Sequence, residues 1–268
     1  MSDYWKNKIV LITGGSSGLG RELAAEFAKN GARIILAALE KDLVESAVAD
    51  FQKEGVDVVG FVTDVTSNDD VQALKRGIEQ RFGRLDALVN VAGRTDRGKV
   101  ETLTAEHVAK VMELNFFAMV RVTQTMLPLL LESRGNIINI GSLAAKAASR
   151  WTGAYPSSKF AVAAYSQQLR LELRERGVRT LLVCPGPIAR ETERLYPLKG
   201  LEDLPEEARR PGAGVKVSRL KPEYLVRRIL RAAEMGKPDL VLPGKARLLF
   251  TICQLFPKLG DWLILRNT

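Results

Sequence analysis

Cysteine and histidine are scarce in this chain of 268 residues, which contains two cysteines and one histidine. Cys184 and Cys253 form no CxxC pair, and His107 lies far from both in the sequence. A disulfide framework and a cysteine–histidine zinc site are therefore not expected, and no metal site is predicted. We interpret both thiols as small buried apolar groups and His107 as a solvated helix residue rather than a catalyst.

Long apolar segments are also missing. No uninterrupted apolar run approaches the ~18 residues that a membrane span requires. The polar residues Met1 to Lys8 lead directly into a strand-like run and do not resemble a secretory signal. Together with the low cysteine content, these features predict a cytoplasmic protein.

Acidic residues are fewer than basic ones, 31 against 40, which gives a formal net charge of +9. Such an excess can indicate a nucleic-acid or anionic membrane partner. Acidic and basic residues nevertheless alternate along most helical segments, as in 170–176, and aromatic residues are not interleaved with the cations. We interpret the charge as solvated helix faces and predict no nucleic-acid partner; phosphates of a cofactor could account for part of the excess.

Short apolar runs alternate with longer segments of helical period, which is typical of βα units that build a parallel sheet. Predicted strands lie near residues 8–13, 33–38, 57–62, 87–91, 136–140, 179–183 and 239–242. Predicted helices include 18–30, 68–82, 105–131 and 155–176. The predicted fold class is α/β, a Rossmann-type doubly wound parallel sheet of about seven strands with helices on both faces.

No break in composition marks a linker, so residues 1–244 are predicted to form one nucleotide-binding domain. The proline-rich stretch 186–221 interrupts the alternation of strands and helices, and we interpret it as a substrate lid. Residues 245–268 form an apolar extension that we expect to pack on the same domain.

Three glycines, Gly14, Gly18 and Gly20, lie between the first predicted strand and the first predicted helix. Glycine permits a tight turn there and lets the backbone approach a pyrophosphate, while the amides at the helix N-terminus point toward the anion. The pattern predicts a dinucleotide phosphate site.

Tyr155 and Lys159 are four residues apart where a helix is predicted to begin, so both side chains lie on one helix face. A free phenol has a pKa of about 10, and a nearby ammonium lowers that pKa. The tyrosine can then exchange a proton with a substrate oxygen.

These motifs resemble the classical short-chain dehydrogenase/reductase family over about residues 8–241. The matching elements are Gly14-xxx-Gly18-x-Gly20, Asp64-Val65, Asn90-Val-Ala-Gly93, Asn115, Ser142 and Tyr155-xxx-Lys159. The resemblance implies an NAD(P)-dependent oxidoreductase that interconverts a secondary alcohol and a ketone.

By this resemblance, Tyr155 is the general acid or base and Lys159 also holds the nicotinamide ribose. Ser142 hydrogen-bonds the reacting oxygen, and Asn115 supports a water chain toward the lysine. The full set of cofactor contacts that the resemblance implies comprises Gly14, Ser16, Ser17, Gly18, Leu19, Gly20, Asp64, Val65, Asn90, Ala92, Gly93, Tyr155, Lys159, Pro185, Gly186 and Ile188.

Three positions, in two segments, depart from the family pattern. Arg190 stands where the family often has a threonine that binds the cofactor amide, and Thr192 follows two residues later. After the second strand, Ala38 replaces the aspartate of NAD-using relatives, and Leu39 stands where many NADP-using relatives have arginine.

The choice between NAD and NADP is left open by these residues. Glu40 could bind a ribose hydroxyl, and Lys41 could bind a 2'-phosphate. The missing aspartate and the basic chain favour NADP(H) slightly over NAD(H).

The C-terminal segment 245–266 is rich in large apolar residues, and Pro257 and Gly260 are predicted to divide it into two amphipathic pieces. Packing on the domain or on a partner subunit is the favoured interpretation. A wall of an apolar substrate pocket and a peripheral membrane contact are the alternatives. A lipophilic alcohol or ketone is a plausible substrate if the segment lines the pocket.

A homodimer or homotetramer is expected from the resemblance, through the helices near 105–131 and 155–176. Phe116, Phe117, Met119 and Val120 could supply the apolar surface. A catalytically silent nucleotide-binding or sensor protein with the same fold is the alternative function.

Overall fold

A computed structural model describes residues 3–189, 204–210 and 217–266. Seven parallel strands form one sheet in the order β3-β2-β1-β4-β5-β6-β7. The strands are β1 (Ile9–Thr13), β2 (Arg33–Ala38), β3 (Val58–Val62), β4 (Ala87–Asn90), β5 (Asn136–Ile140), β6 (Arg179–Pro185) and β7 (Asp239–Leu242). The predicted Rossmann-type fold is confirmed.

Helices cover both faces of the sheet. They are α1 (Gly18–Lys29), α2 (Lys41–Lys53), α3 (Asn68–Phe82), α4 (Ala105–Met112), α5 (Ala118–Ser133), α6 (Tyr155–Leu173), α7 (Pro222–Glu234), α8 (Ala246–Leu255) and α9 (Pro257–Arg266). The core on one face contains side chains of α1, α2 and α7, and the core on the other contains side chains of α3, α5 and α6.

Strand β1 shows why these segments become central strands. All five of its residues are buried. Val10 and Ile12 point into the core beside α1 and α7, whereas Ile9 and Leu11 point into the core beside α3 and α5. Because both faces of a parallel sheet are covered, a continuous apolar run is the expected pattern.

The strand order reverses beside β1, which pairs with β2 on one side and β4 on the other. The connections from these strands diverge to opposite faces, and this opens a crevice at the carboxyl ends of the strands. The glycine turn at 14–20 and the loop after β4 both begin at this crevice.

One helical stretch within the described residues, Ala105–Ser133, has the length and the mean hydropathy, 1.3, of a membrane span. It joins α4 and α5 through a π-helical turn, Glu113–Phe117. Of its most apolar 18-residue window, 44% is buried, and α5 packs on α3. Its hydropathy is therefore explained by the domain core, although no uninterrupted apolar run marked it in the sequence.

The prediction of an apolar subunit surface at residues 116–120 is wrong for Met119. Its side chain is buried in a cluster with Val162 and Leu182, and the Phe116 ring packs edge-on against Tyr165. Phe117 is about half exposed. Nearly consecutive helical residues point in different directions around the axis, so the predicted group cannot share one outer face.

The C-terminal segment forms two helices, but its division differs from the prediction. The break comes at Phe256 and Pro257, whereas Gly260 lies inside α9. A Cβ on Gly260 would be 2.5 Å from the Cα atom of Cys253. Glycine is needed there because α8 and α9 pack closely, and it does not end a helix.

Most of the predicted lid at 186–221, including Arg190 and Thr192, lies outside the described residues. The described residues at the two ends of this stretch pair with each other. The Leu220 N–H donates to the Pro187 carbonyl and the Ala189 N–H donates to the Leu220 carbonyl, both at 2.8 Å. Residues 206–209 form a 3-10 turn. Arg97 donates to the Ala208 carbonyl at 2.8 Å, which ties this turn to the loop after β4.

We expect Phe27→Ala to destabilise the fold strongly. Phe27 is fully buried under the sheet, and its ring packs edge-on against Trp5 with centroids 4.8 Å apart. Removing the ring leaves a cavity, so the free energy of unfolding should fall by about 3–5 kcal/mol in urea titrations. Met235→Ala, at an exposed position, should change it by less than about 0.5 kcal/mol. Equal effects of both substitutions would contradict this assignment of the core.

Candidate active site

The glycine turn between β1 and α1 is held against the end of β2. Gly14 adopts a φ of +66°, and its N–H donates to the Ala37 carbonyl at 2.7 Å. A Cβ on Gly20 would lie 2.1 Å from the Gly14 carbonyl oxygen, so only glycine permits the turn to close on the helix. Gly18, at φ +50°, has open space where its side chain would be. The turn therefore exposes backbone to the crevice.

Other predicted contact residues of this turn differ in exposure. Ser16 is buried, Leu19 is half-buried, and Ser17 is the exposed N-cap residue of α1. The Ser17 side chain makes no capping hydrogen bond. Because the N-terminal amides of a helix attract anions, this end of α1 is suited to a phosphate.

Thr13 joins the glycine turn to the loop after β4. Its Oγ1 accepts hydrogen bonds from the N–H groups of Val91, at 3.1 Å, and Ala92, at 3.3 Å. A Cβ on Gly14 would be 3.2 Å from the Cα atom of Ala92. This function of Thr13 is not predicted from the sequence, since a threonine at the end of a buried strand carries no distinctive signal.

Asn90 belongs to a buried polar network rather than to the open crevice. Its Nδ2 donates to Asn139 Oδ1 at 2.8 Å and to Thr123 Oγ1 at 3.1 Å. Asn139 in turn donates to Ser166 at 2.9 Å. The Asn90 side chain thus connects β4 with β5, α5 and α6, which fixes the strand ends that form the crevice.

Asp64 and Val65 follow β3 at the same edge of the sheet. Asp64 Oδ1 accepts from the backbone N–H and the hydroxyl of Thr66 at 2.8 and 2.6 Å, and Asp64 N–H donates to Asp70 at 3.0 Å. Val65 is buried, and its carbonyl accepts from Arg121 at 3.2 Å. These bonds hold the two residues in one fixed turn beside the crevice.

Tyr155 is the first residue of α6, and Lys159 lies one turn further along the helix. The Lys159 Nζ is 5.7 Å from the centroid of the Tyr155 ring and donates to the Ile140 carbonyl at 2.8 Å. Lys159 is 6% exposed, and burial lowers the pKa of its ammonium to about 8. The lysine is therefore held at the end of β5, below the tyrosine ring.

Ser142 lies two residues beyond Ile140 and is half-buried, with its backbone extended. Its Oγ accepts from the Ala144 N–H at 3.1 Å, which starts a short 3-10 turn. The Oγ–H can still donate outward, because the hydroxyl has one donor and two acceptor positions. Ser142, Tyr155 and Lys159 thus all belong to segments that meet at the carboxyl end of β5.

Asn115 lies in the π-helical turn and bridges two segments of the site. Its Oδ1 accepts from Arg94 N–H at 2.8 Å, and its Nδ2 donates to the Arg94 carbonyl at 2.9 Å and to Ser158 Oγ at 3.0 Å. Ser158 donates to the carbonyl of Tyr155 at 2.7 Å. The asparagine side chain therefore holds the loop after β4 against the first turn of α6 and does not bond directly to Lys159.

Gly93 lies between Asn115 and Lys159. A Cβ on Gly93 would be 3.0 Å from Asn115 Oδ1 and 3.9 Å from Lys159 Nζ, and its φ is +157°. Any side chain here would fill the space beside the lysine. Glycine is therefore required at this position, where the backbone passes close to both side chains.

Pro185 ends β6, and Gly186 continues across the crevice. Gly186 N–H donates to the Leu242 carbonyl at 2.7 Å, and a Cβ on it would be 3.3 Å from the Leu143 side chain. Ile188 forms an isolated bridge with Leu220. Residues 185–188 therefore form one wall opposite the Ser142 turn.

Asp96 supports the start of α6 in a way that the sequence analysis did not detect. Its Oδ2 accepts from Ala154 N–H at 2.8 Å and lies 2.9 Å from His107 Nε2. A Cβ on Gly153 would be 2.2 Å from the same oxygen. His107, interpreted from sequence as a solvated helix residue, is partly exposed but pairs with this carboxylate, and the contact is not visible from sequence because the residues lie in separate segments.

The segment after β2 contains the residues on which the choice between NAD and NADP was left open. Ala38 is buried, Leu39 is 58% exposed, and Glu40 precedes α2 without capping it through its side chain. Lys41 Nζ is 3.7 Å from Glu45, and both are exposed. A weak surface pair of this kind leaves the lysine able to rearrange toward a phosphate.

Comparison with known proteins agrees with these features. A family model described as short chain dehydrogenase matches residues 8–197. The 2-(S)-hydroxypropyl-CoM dehydrogenase 3 of Xanthobacter autotrophicus is 33% identical over 78% of this chain and 83% of its own length. A protein of Dictyostelium discoideum named dehydrogenase/reductase SDR family protein 7-like is 31% identical over 97% of this chain and 81% of its own length.

Among solved structures, a short-chain dehydrogenase from Streptomyces avermitilis superposes with a TM-score of 0.79 at 26% identity. The match covers 97% of this chain and 98% of that structure. The similarity thus extends over nearly the whole chain.

We expect Lys159→Met to stabilise the protein in a pH-dependent way. Because burial lowers the pKa of Lys159 from 10.5 to about 8, the unfolded chain binds more protons between these values, and wild-type stability rises as pH rises from about 8 to 10.5. The variant lacks this penalty, so near neutral pH it should unfold at a higher urea concentration, with a gain of roughly 1–3 kcal/mol. The gain should shrink at alkaline pH. Lys29→Met, at an exposed position, is the control, and a gain independent of pH would show that burial of the Lys159 charge is not its cause.

Proposed function

Because the chain belongs to the short chain dehydrogenase family, we propose that it interconverts a secondary alcohol and a ketone with Tyr155 as the general acid or base. The observation that carries the proposal is that the segments bearing three residues come together at the end of β5. Tyr155 begins α6, the buried Lys159 ammonium one turn along that helix donates to the Ile140 carbonyl, and Ser142 lies two residues beyond Ile140.

The residues would divide the chemistry as follows. Bound NAD(P) supplies or accepts the hydride. In ketone reduction, the Tyr155 hydroxyl donates its proton to the carbonyl oxygen while Ser142 hydrogen-bonds the same oxygen and stabilises the developing charge. The Lys159 ammonium favours the phenolate that remains, and alcohol oxidation uses the same proton transfer in reverse.

The cofactor would be held by the glycine turn and by the loops that end β3, β4 and β6. Support comes from the open space at Gly18 and from the amides at the start of α1, which the Ser17 side chain does not cap. Lys159 would turn toward the ribose of the nicotinamide half, and Asn115 would keep the loop and α6 at the spacing that the cofactor needs.

We extend the proposal to a preference for NADP(H). A 2'-phosphate near the start of α2 would find Lys41 and no carboxylate at Ala38 or Leu39. Glu40 would repel the phosphate unless its side chain stays in solvent. The net charge of +9 also favours the more anionic cofactor.

The substrate, the assembly and the location are further parts of the proposal. Apolar residues near the crevice, including Leu143 and Ile188, favour a lipophilic alcohol or ketone. Relatives with similar catalytic motifs differ in substrate, because loops decide specificity on a shared fold. We propose a cytoplasmic homodimer or homotetramer, with exposed Phe117 as one apolar contact.

Tyr155→Phe should lower kcat by about 10²–10⁴-fold and leave cofactor affinity nearly unchanged, because only the exchangeable proton is lost. The measurement is a screen of alcohols and ketones with each cofactor, paired with fluorescence titration of the reduced cofactor. Tyr224→Phe, at an exposed position of α7, is the matched control and should retain full activity. Tight cofactor binding by the wild type without turnover of any substrate would instead favour a silent sensor protein.

Lys41→Ala should raise the KM for NADPH by about fivefold and leave that for NADH unchanged, since one charge contact to a phosphate is worth roughly 1 kcal/mol at an exposed site. Lys53→Ala, at the other end of α2, should change neither value. A parallel rise in both KM values would argue that Lys41 acts on the fold of the segment and not on the phosphate.

A further inference from the structure

The outward face of the C-terminal helix pair is apolar. Helix α9 packs on α8 through Gly260 and Cys253, which leaves the opposite side of α9 in solvent. Large apolar side chains that are about half or more exposed in this segment are Leu248, Leu255, Phe256, Leu259, Trp262 and Leu265. We call these six residues and the cations Lys258 and Arg266 the C-terminal surface.

Helix α9 has its large apolar side chains on the side that faces solvent, the reverse of an ordinary surface helix. Its buried side is marked by Gly260, with the half-buried Ile264 one turn further on. At 100° per residue, Leu259, Trp262 and Leu265 fall on the opposite side, where a helix of a water-facing domain normally carries polar residues. The only acidic residue of α9, Asp261, lies at the edge of this side.

Cations accompany the apolar residues. Residues 245–266 contain four of them, Lys245, Arg247, Lys258 and Arg266, against the single acidic residue Asp261. The Arg266 guanidinium lies 5.3 Å from the centroid of the Trp262 ring. A tryptophan beside an arginine on an apolar helix face is suited to the headgroup region of a bilayer, where the ring is buried and the charge meets phosphate.

We propose that the C-terminal surface binds the face of a bilayer that contains anionic lipid. Charge decides between this partner and a second copy of the chain. In a two-fold contact through this surface, the Lys258 and Arg266 cations of both copies would be brought into one interface, and on α9 only Asp261 of each copy could compensate them. Anionic headgroups neutralise those cations, while Trp262 and Leu265 insert beside them.

The surface adjoins the active site. Phe250, on the inner side of α8, packs in one cluster with Ala145 and the half-buried Leu143, which directly follows Ser142. Helix α8 also begins just beyond β7, at the edge of the sheet where the crevice opens. Bound to a bilayer, the crevice would lie close to the headgroups, and a lipophilic substrate could enter without crossing bulk water. This last consequence rests on the proposed function, whereas membrane binding itself does not.

The test is vesicle flotation of the full chain with two lipid compositions, phosphatidylcholine alone and an equal mixture of phosphatidylcholine and phosphatidylserine. The protein should float with the mixed vesicles and remain unbound with phosphatidylcholine. Lys258→Gln combined with Arg266→Gln should weaken partitioning about thirtyfold, at roughly fivefold for each cation. Trp262→Ser combined with Leu265→Ser should weaken it by at least about tenfold.

The matched controls change the same residue types far from the surface. Lys29→Gln combined with Lys237→Gln removes two exposed cations, and Met235→Ser removes an exposed apolar side chain at the amino edge of the sheet. Both should float like the wild type. Thermal unfolding and cofactor binding of every variant should match the wild type, which separates loss of the surface from loss of the fold.

Three results would overturn the proposal. The intact chain could fail to float with anionic vesicles, or the controls could weaken flotation as much as the surface variants do. Sedimentation in the absence of lipid could also show that Trp262→Ser with Leu265→Ser dissociates an oligomer, which would identify a second copy as the partner. Because flotation requires no turnover, failure of the proposed reaction and failure of membrane binding are measured separately.

Discussion

The structure of the site depends on a lysine ammonium that is held out of water. Lys159 donates to the Ile140 carbonyl, and burial lowers its pKa to about 8. A buried cation of this kind is costly for stability unless an anion is present to interact with it. In the proposed reaction, the phenolate form of Tyr155 would be such an anion. Phosphates and ribose oxygens of a dinucleotide can relieve the cost further.

Other parts of the site keep this lysine and tyrosine in position. The π-helical turn directs the Asn115 side chain toward both Arg94 and Ser158, which an ordinary α-helical register at this residue would not provide. Asp96 holds the backbone just before Tyr155 from the other side through the Ala154 N–H. Two polar bridges from one loop therefore fix the first turn of α6. Gly93, in that same loop, lets the backbone pass close to the Asn115 and Lys159 side chains.

The apolar exterior of α8 and α9 is linked to this site through ordinary packing. Phe250 contributes to the cluster that supports the turn after Ser142, and Gly260 lets α9 lie close against α8. The two helices therefore pack through small and inward-facing residues, while Trp262 and the other apolar residues of the C-terminal surface stay exposed to solvent. This division explains why an apolar segment that follows a complete seven-stranded sheet is not absorbed into the core: both faces of the sheet are already covered.

The sequence by itself determined the fold class, the strand positions and the family, because continuous apolar runs, the glycine spacing at 14–20 and the Tyr155–Lys159 spacing are local patterns. It also marked the Asn90 loop and Ser142 as parts of one site. Only the tertiary structure decided which of these side chains face the crevice. In the structure, the Asn90 side chain hydrogen-bonds within a buried polar network. Met119 is buried in the core rather than on a subunit surface, and Gly260 lies in the contact between α8 and α9. The hydrogen bonds of Thr13 and the pairing of Asp96 with His107 and Ala154 were not predicted, because they join separate segments and such contacts exist only after the strands and helices have packed.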